Sequence, residues 1–213
     1  MNTELKEHRS LRGVFALTTT FFFLAMVLGL IQSLRSSHRL PPINSHYTPE
    51  INALIENENY ENAIPHLERA ISIDLENTAK NKKLLAKICS VVAQSHIASG
   101  DPKGALLLYE KAYAATPDAT DILNNLAWFL ATSKDASLRN GRRAVGLALR
   151  ADEAKPEDAA TLDTLSAAYA EAGDFTNAVA TQRKAIRLSP DASQGDLQSR
   201  LDLYLDGKPY HAP

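Results

Sequence analysis

Residues 159–190 read AATLDTLSAAYAEAGDFTNAVATQRKAIRLSP, and this stretch decides the fold. Its second half holds Ala178 and Ala185, which are 7 residues apart and therefore face the same way after two turns of a helix. Small side chains on one face let a partner helix approach closely. Pro190 follows the second alanine by 5 residues and stops the helix. The stretch therefore predicts a helix that is closely packed against another helix.

The partner helix is predicted by the residues just before it. Leu162, Leu165 and Tyr169 recur at helical spacing and give this first helix one apolar face. Gly173 then supplies a helix stop, and Asp174 supplies the N-cap of the second helix. The whole stretch is therefore expected to form a helical hairpin.

The same alanine spacing recurs three times upstream, as the pairs Ala63/Ala70, Ala105/Ala112 and Ala144/Ala151. A proline follows two of these pairs by 5 residues, at Pro117 and Pro156. The chain is thus expected to contain four related hairpins, of which the first is degraded.

The intervals between equivalent alanines are not uniform. Ala144 and Ala178 are 34 residues apart, whereas the two preceding intervals are 39 and 42 residues. The polar run 132–141 can hold the excess of 5 as a longer loop. Residues 76–87 can hold the excess of 8, as either a lengthened helix or a loop.

These positions resemble the pattern of the tetratricopeptide repeat (TPR) family, over roughly residues 48–190. In the last copy only the late aromatic position differs; it is Gln182, whose side chain we expect to be exposed. The resemblance implies an all-α solenoid of about four helical hairpins. Beyond it, Leu197 and Leu201 suggest a C-terminal capping helix, which a solenoid needs at its open end. We therefore predict a TPR domain over 48–205 and a C-terminal tail over 206–213.

A second feature lies near the N-terminus, where Val14 to Leu34 form 21 residues without a charge. At 1.5 Å per residue this segment spans roughly 30 Å, the thickness of a bilayer core. No small-x-small cleavage motif follows it. We therefore predict one N-terminal transmembrane helix over 14–34, preceded by a tail over 1–13 and followed by a proline-bearing linker over 35–47.

The orientation of this anchor follows from its flanking charges. Three basic residues precede the segment and two follow it: Lys6, Arg9 and Arg12, then Arg35 and Arg39. The difference favours a cytoplasmic N-terminus. The chain is then a single-pass membrane protein with its TPR domain outside the cytoplasm, in the periplasm if the organism is bacterial.

Charge and motifs argue against several functions. The formal net charge of −2 lacks the basic footprint of nucleic-acid binding. The chain contains neither a glycine-rich phosphate loop nor a nucleophile elbow. Cys89 and His96 share one helical face, but two ligands are too few for a structural zinc site. We therefore predict no catalytic residues, no metal and no cofactor.

In the TPR family the first helix of each repeat lines a concave groove that holds a peptide or a partner helix. The resemblance carries this role over to the following positions of the present chain: Gln94, Asn124, Asn125, Trp128 and Asp163. Trp128 is the side chain most typical of binding hot spots, although it could instead pack against the neighbouring helix.

Anchor, linker and groove together predict a membrane-anchored scaffold or assembly factor. Its partner would be a protein or peptide client within a membrane or envelope complex. Two alternatives remain: a cytosol-facing receptor for protein targeting or import, and an accessory or regulatory subunit of a membrane enzyme.

Overall fold

The computed structural model describes residues 49–189 and 194–212, and within them the chain forms α-helices and one short 3-10 turn. The helices are α1 (Pro49–Glu56), α2 (Tyr60–Ile73), α3 (Thr78–Ala98), α4 (Pro102–Ala115), α5 (Thr120–Thr132), α6 (Gly141–Ala154), α7 (Ala159–Glu171), α8 (Phe175–Leu188) and α9 (Gln194–Leu205). The 3-10 turn is Ala136–Leu138.

Consecutive helices pair into four hairpins, α1/α2, α3/α4, α5/α6 and α7/α8, and α9 packs against α8. Each hairpin also contacts the next, because α2 packs on α3, α4 on α5 and α6 on α7. The first helices of the last two hairpins, α5 and α7, touch one another directly. The described residues therefore form the predicted all-helical, TPR-like solenoid of four hairpins and a terminal helix.

Local capping sets the turns inside the second and fourth hairpins. Gly100 and Gly173 have φ angles of +85° and +83°, a left-handed conformation that glycine adopts without steric cost. Asp101 then accepts a hydrogen bond from the backbone N–H of Gly104 at 2.9 Å, and Asp174 accepts one from Asn177 at 3.1 Å. The predicted stop and cap are confirmed at both turns.

The alanine pairs lie at the contacts between helices. Seven of the eight alanines have no exposed surface: Ala63, Ala105, Ala112, Ala144, Ala151, Ala178 and Ala185. Ala70 is half-buried, in keeping with the degraded first repeat. The absence of larger side chains at these positions lets the helices pack closely, and neighbouring leucines fill the remaining volume.

The two irregular intervals have different structural origins. Helix α3 has 21 residues against the 14 of α4, so the excess of 8 lengthens the helix. The excess of 5 lies in the loop between α5 and α6, which contains the 3-10 turn. Asp135 caps that turn by accepting a hydrogen bond from the backbone N–H of Ser137 at 2.9 Å.

No helix within 49–189 or 194–212 has the length and apolar character needed to cross a bilayer. The predicted transmembrane helix over 14–34, the N-terminal tail over 1–13 and the linker over 35–47 lie outside the described residues.

Candidate protein-binding surface

The five predicted binding residues lie on the first helices of three hairpins: Gln94 on α3, Asn124, Asn125 and Trp128 on α5, and Asp163 on α7. We call the surface that they share the groove face. The first four side chains are half-buried, and Asp163 is buried. The structure brings Trp128 and Asp163 together through a third residue, Arg200, which the sequence analysis did not single out.

Arg200 extends from α9 and binds Asp163 with both arms of its guanidinium group. Its Nε donates to Oδ1 of Asp163 and its Nη2 donates to Oδ2, both at 2.9 Å. The two side chains are only 14% and 12% exposed. Removing one member of such a buried pair leaves the other charge without compensation, at a cost of about 3–5 kcal/mol. Asp163 therefore serves as the point at which α9 is fixed to α7.

Gln182 completes this polar contact, and its predicted exposure was wrong. Its side chain has no exposed surface. Its Nε2 donates to Oδ1 of Asp163 at 2.9 Å and to the backbone carbonyl of Leu197 at 3.0 Å, and the hydroxyl of Ser166 donates to its Oε1. The late aromatic position of the last repeat faces α9, so α9 covers it. A glutamine fits there because every polar group of its amide has a partner.

The indole of Trp128 is covered by the C-terminal tail. The ring of Tyr210 lies 5.9 Å from it between centroids, at an interplanar angle of 40°. The guanidinium of Arg200 lies 5.5 Å from the centroid of Trp128 and 5.4 Å from that of Tyr210. These are distances at which a cation is attracted to an aromatic face. Trp128 is thus a residue of the groove face whose ring contacts another segment of the same chain.

The tail makes two further attachments next to Tyr210. The Nε2 of His211 lies 2.8 Å from Oε2 of Glu171, and the backbone N–H of Ala212 donates to the carbonyl of Thr132 at 2.7 Å. Glu171 also accepts a hydrogen bond at Oε1 from Nε of Arg139, at 2.9 Å. The tail therefore runs past the C-terminal ends of both α7 and α5.

Part of the groove face remains uncovered toward the N-terminal hairpins. Gln94 and Asn125 are half-buried, and Ile97 at the end of α3 is 45% exposed. The Oδ1 atom of Asn124 is buried and has no hydrogen-bond partner among the described residues. A buried acceptor without a partner is costly, so a donor from another molecule would be bound favourably at this point.

Cys89 and His96 have structural surroundings. The thiol is fully buried, and this burial raises the pKa of Cys89 to about 12. The ring of His96 instead contacts Asp101, with Nδ1 at 2.8 Å from Oδ2. Within the part of the chain that the structure describes, no group of three or more potential metal ligands lies together.

Comparison with known proteins supports the fold. Models described as tetratricopeptide repeat match residues 52–77, 93–159 and 159–192, more than half of the chain. No curated protein matches. Among solved structures, MamA 41-end from Desulfovibrio magneticus RS-1 is 16% identical, with a TM-score of 0.46, covering 74% of this chain and 84% of that one. MamA of AMB-1 is 18% identical, with a TM-score of 0.45, covering 74% and 90%.

The matched residues coincide with the hairpins. The first match covers most of α1 and α2, the second runs from the end of α3 through α6, and the third covers α7 and α8. A family of this kind provides surfaces for protein–protein interaction. The chain belongs to the tetratricopeptide repeat family.

Proposed function

We propose that this chain is a membrane-tethered scaffold that holds an extended segment of a protein partner on the uncovered part of its groove face. The partner belongs to a membrane or envelope complex, and the chain itself performs no catalysis. The observation that carries the proposal is the buried, unpartnered Oδ1 of Asn124, which lies among the half-buried amides of Gln94 and Asn125.

The chemistry of these three residues favours a polypeptide as the ligand. Asparagine and glutamine side chains each present both a donor and an acceptor, as does every peptide group. Amide side chains on a rigid helix can therefore bind the main chain of an extended segment whatever its sequence. The nearby exposed Ile97 offers an apolar contact for one side chain of that segment.

The tether is supported by the sequence over 14–34, which is uncharged and long enough to cross a bilayer. The linker over 35–47 contains Pro41-Pro42, which would keep the repeats away from the membrane surface. The basic flanks favour repeats outside the cytoplasm.

The binding surface is tested by site-specific photo-crosslinking in native membranes. A benzophenone amino acid at Asn125 should crosslink one discrete partner. The same probe at Leu107, which is 72% exposed on α4, is the matched control and should give no such product. Equal crosslinking from both positions would contradict the groove face as the site.

The tether is tested separately. The chain should stay in the membrane pellet after alkaline carbonate extraction, and a reporter fused after Pro213 should be active only outside the cytoplasm. Release by carbonate would remove the tether from the proposal. A cytoplasmic reporter signal would favour the import-receptor alternative.

A further inference from the structure

Three consecutive residues of the tail attach to the groove face in three different ways. Tyr210 places its ring against Trp128, His211 places its imidazole against Glu171, and Ala212 donates its backbone N–H to the carbonyl of Thr132. Side-chain contacts combined with a main-chain hydrogen bond are the means by which domains recognise extended peptides. The contact between the tail and the groove face has this character.

The tail is not needed to close the end of the solenoid, because α9 already does so. Leu197, Leu201 and Tyr204 of α9 are buried against the last hairpin. Between this helix and Tyr210, residues 205–208 are exposed, and Gly207 adopts a left-handed φ of +68°. His211 itself is exposed. The tail is therefore attached at its end and joined to α9 through an exposed connection.

We propose that Trp128, Thr132 and Glu171, together with Arg200, form a peptide-binding site whose resident ligand is the chain's own Tyr210–Ala212. The site takes an extended segment in which an aromatic residue is followed by a histidine or another basic residue. The aromatic ring contacts Trp128 and Arg200, and the basic side chain contacts the carboxylate of Glu171. This inference deepens the proposed function, because it places a second site with a defined ligand chemistry on the groove face.

Occupancy by the tail has a consequence for any external ligand. A segment joined by a short connection is present at an effective concentration on the order of millimolar. An external segment of the same chemistry must compete with it, so the site binds such a segment weakly until the tail is displaced. A partner with stronger contacts at the same three positions would replace the tail.

The test uses the full chain in detergent and a fluorescent peptide with the sequence of residues 206–213. The variant Tyr210→Ala with His211→Ala removes the resident side chains and leaves the site intact. In fluorescence anisotropy the peptide should bind this variant at least about tenfold more tightly than it binds the unaltered chain. A control peptide with alanine at the tyrosine and histidine positions should not bind either protein.

A further variant tests the site itself. Glu171→Gln, introduced into the Tyr210→Ala, His211→Ala background, should abolish peptide binding while circular dichroism shows unchanged helix content. Equal affinity of the peptide for the doubly substituted and unaltered chains would overturn the proposal. So would binding of the alanine peptide, or concentration-dependent dimers of the unaltered chain, which would place the tail on a neighbouring copy.

These outcomes are independent of the scaffold function. Crosslinking from Asn125 reports on the uncovered amides, whereas peptide binding reports on the site next to Trp128. Loss of one result with retention of the other identifies which of the two proposals has failed.

Discussion

The backbone nitrogen of Ala172 occupies the space into which a side chain on Gly141 would extend. A Cβ atom at Gly141 would lie only 2.5 Å from that nitrogen and 2.6 Å from the carbonyl carbon of Glu171. The start of α6 therefore approaches the end of α7 more closely than any residue other than glycine permits. Since both obstructing atoms belong to the backbone, neither can rotate away.

This contact makes opposite predictions for two glycines of the same helix. Gly141→Ala should destabilise the fold by about 1–3 kcal/mol, because α6 and α7 must move apart. Gly146→Ala should stabilise it by about 0.5–1 kcal/mol, since Gly146 lies in the interior of α6 with no atom within 4 Å of its Cβ position. Urea denaturation followed by circular dichroism measures both changes, and the same sign for both variants would contradict the packing described.

Gln182 provides a prediction about the polar contact beneath α9. Gln182→Leu should cost about 1–3 kcal/mol, because Ser166 and the carbonyl of Leu197 each lose a buried hydrogen bond. Arg183→Leu, at the exposed neighbouring position, is the control and should change stability by less than about 0.5 kcal/mol. Thermal or chemical denaturation measures the difference. Equal effects of the two substitutions would show that α9 does not cover Gln182.

Ala178 tests the small-residue contact of the last hairpin. Ala178→Leu should destabilise by about 1–3 kcal/mol, because the side chain has no exposed surface and a larger one must displace its neighbours. Ala180→Leu makes the same substitution at an exposed position of α8 and should be nearly neutral. Denaturation of both variants under identical conditions gives the comparison, and a neutral Ala178→Leu would mean that the helix contact lies elsewhere.

Cys89 predicts a slow chemical reaction. With a thiol pKa of about 12, roughly one molecule in ten thousand carries the reactive thiolate at pH 8. Iodoacetamide should therefore label the native chain only as fast as the fold opens, and label the chain at once in guanidinium chloride. Mass spectrometry follows the modification, and rapid labelling under native conditions would show that the thiol is accessible.

The sequence was sufficient for features that are determined locally. Gly100 and Gly173 were predicted as helix stops, because a left-handed residue and the N-cap after it need only their immediate neighbours. The buried alanines followed from their spacing alone. The lengthening of α3 could also have been resolved, since most of residues 78–87 have good helix propensity.

Features that depend on distant partners could not be predicted in this way. Gln182 looked exposed because its amide is polar, and its burial depends on Asp163 and on the helix that begins at Gln194. The contact between Arg200 and Trp128 likewise joins segments far apart in the chain. No pattern of spacing within one repeat encodes such a pairing, because the repeat pattern describes only neighbouring helices.

The hydrogen bond between Ala212 and Thr132 changes how this solenoid should unfold. A linear array of repeats with contacts only between neighbours can lose its terminal repeat first and melt progressively. Here the last residues of the chain reach back past the fourth hairpin to the third, closing a loop from residue 132 to residue 212. Fraying from the C-terminal end must first break that closure, so the third and fourth hairpins and α9 should exchange their amide hydrogens as one cooperative unit. The first hairpin has no such closure in the described residues and should exchange earlier.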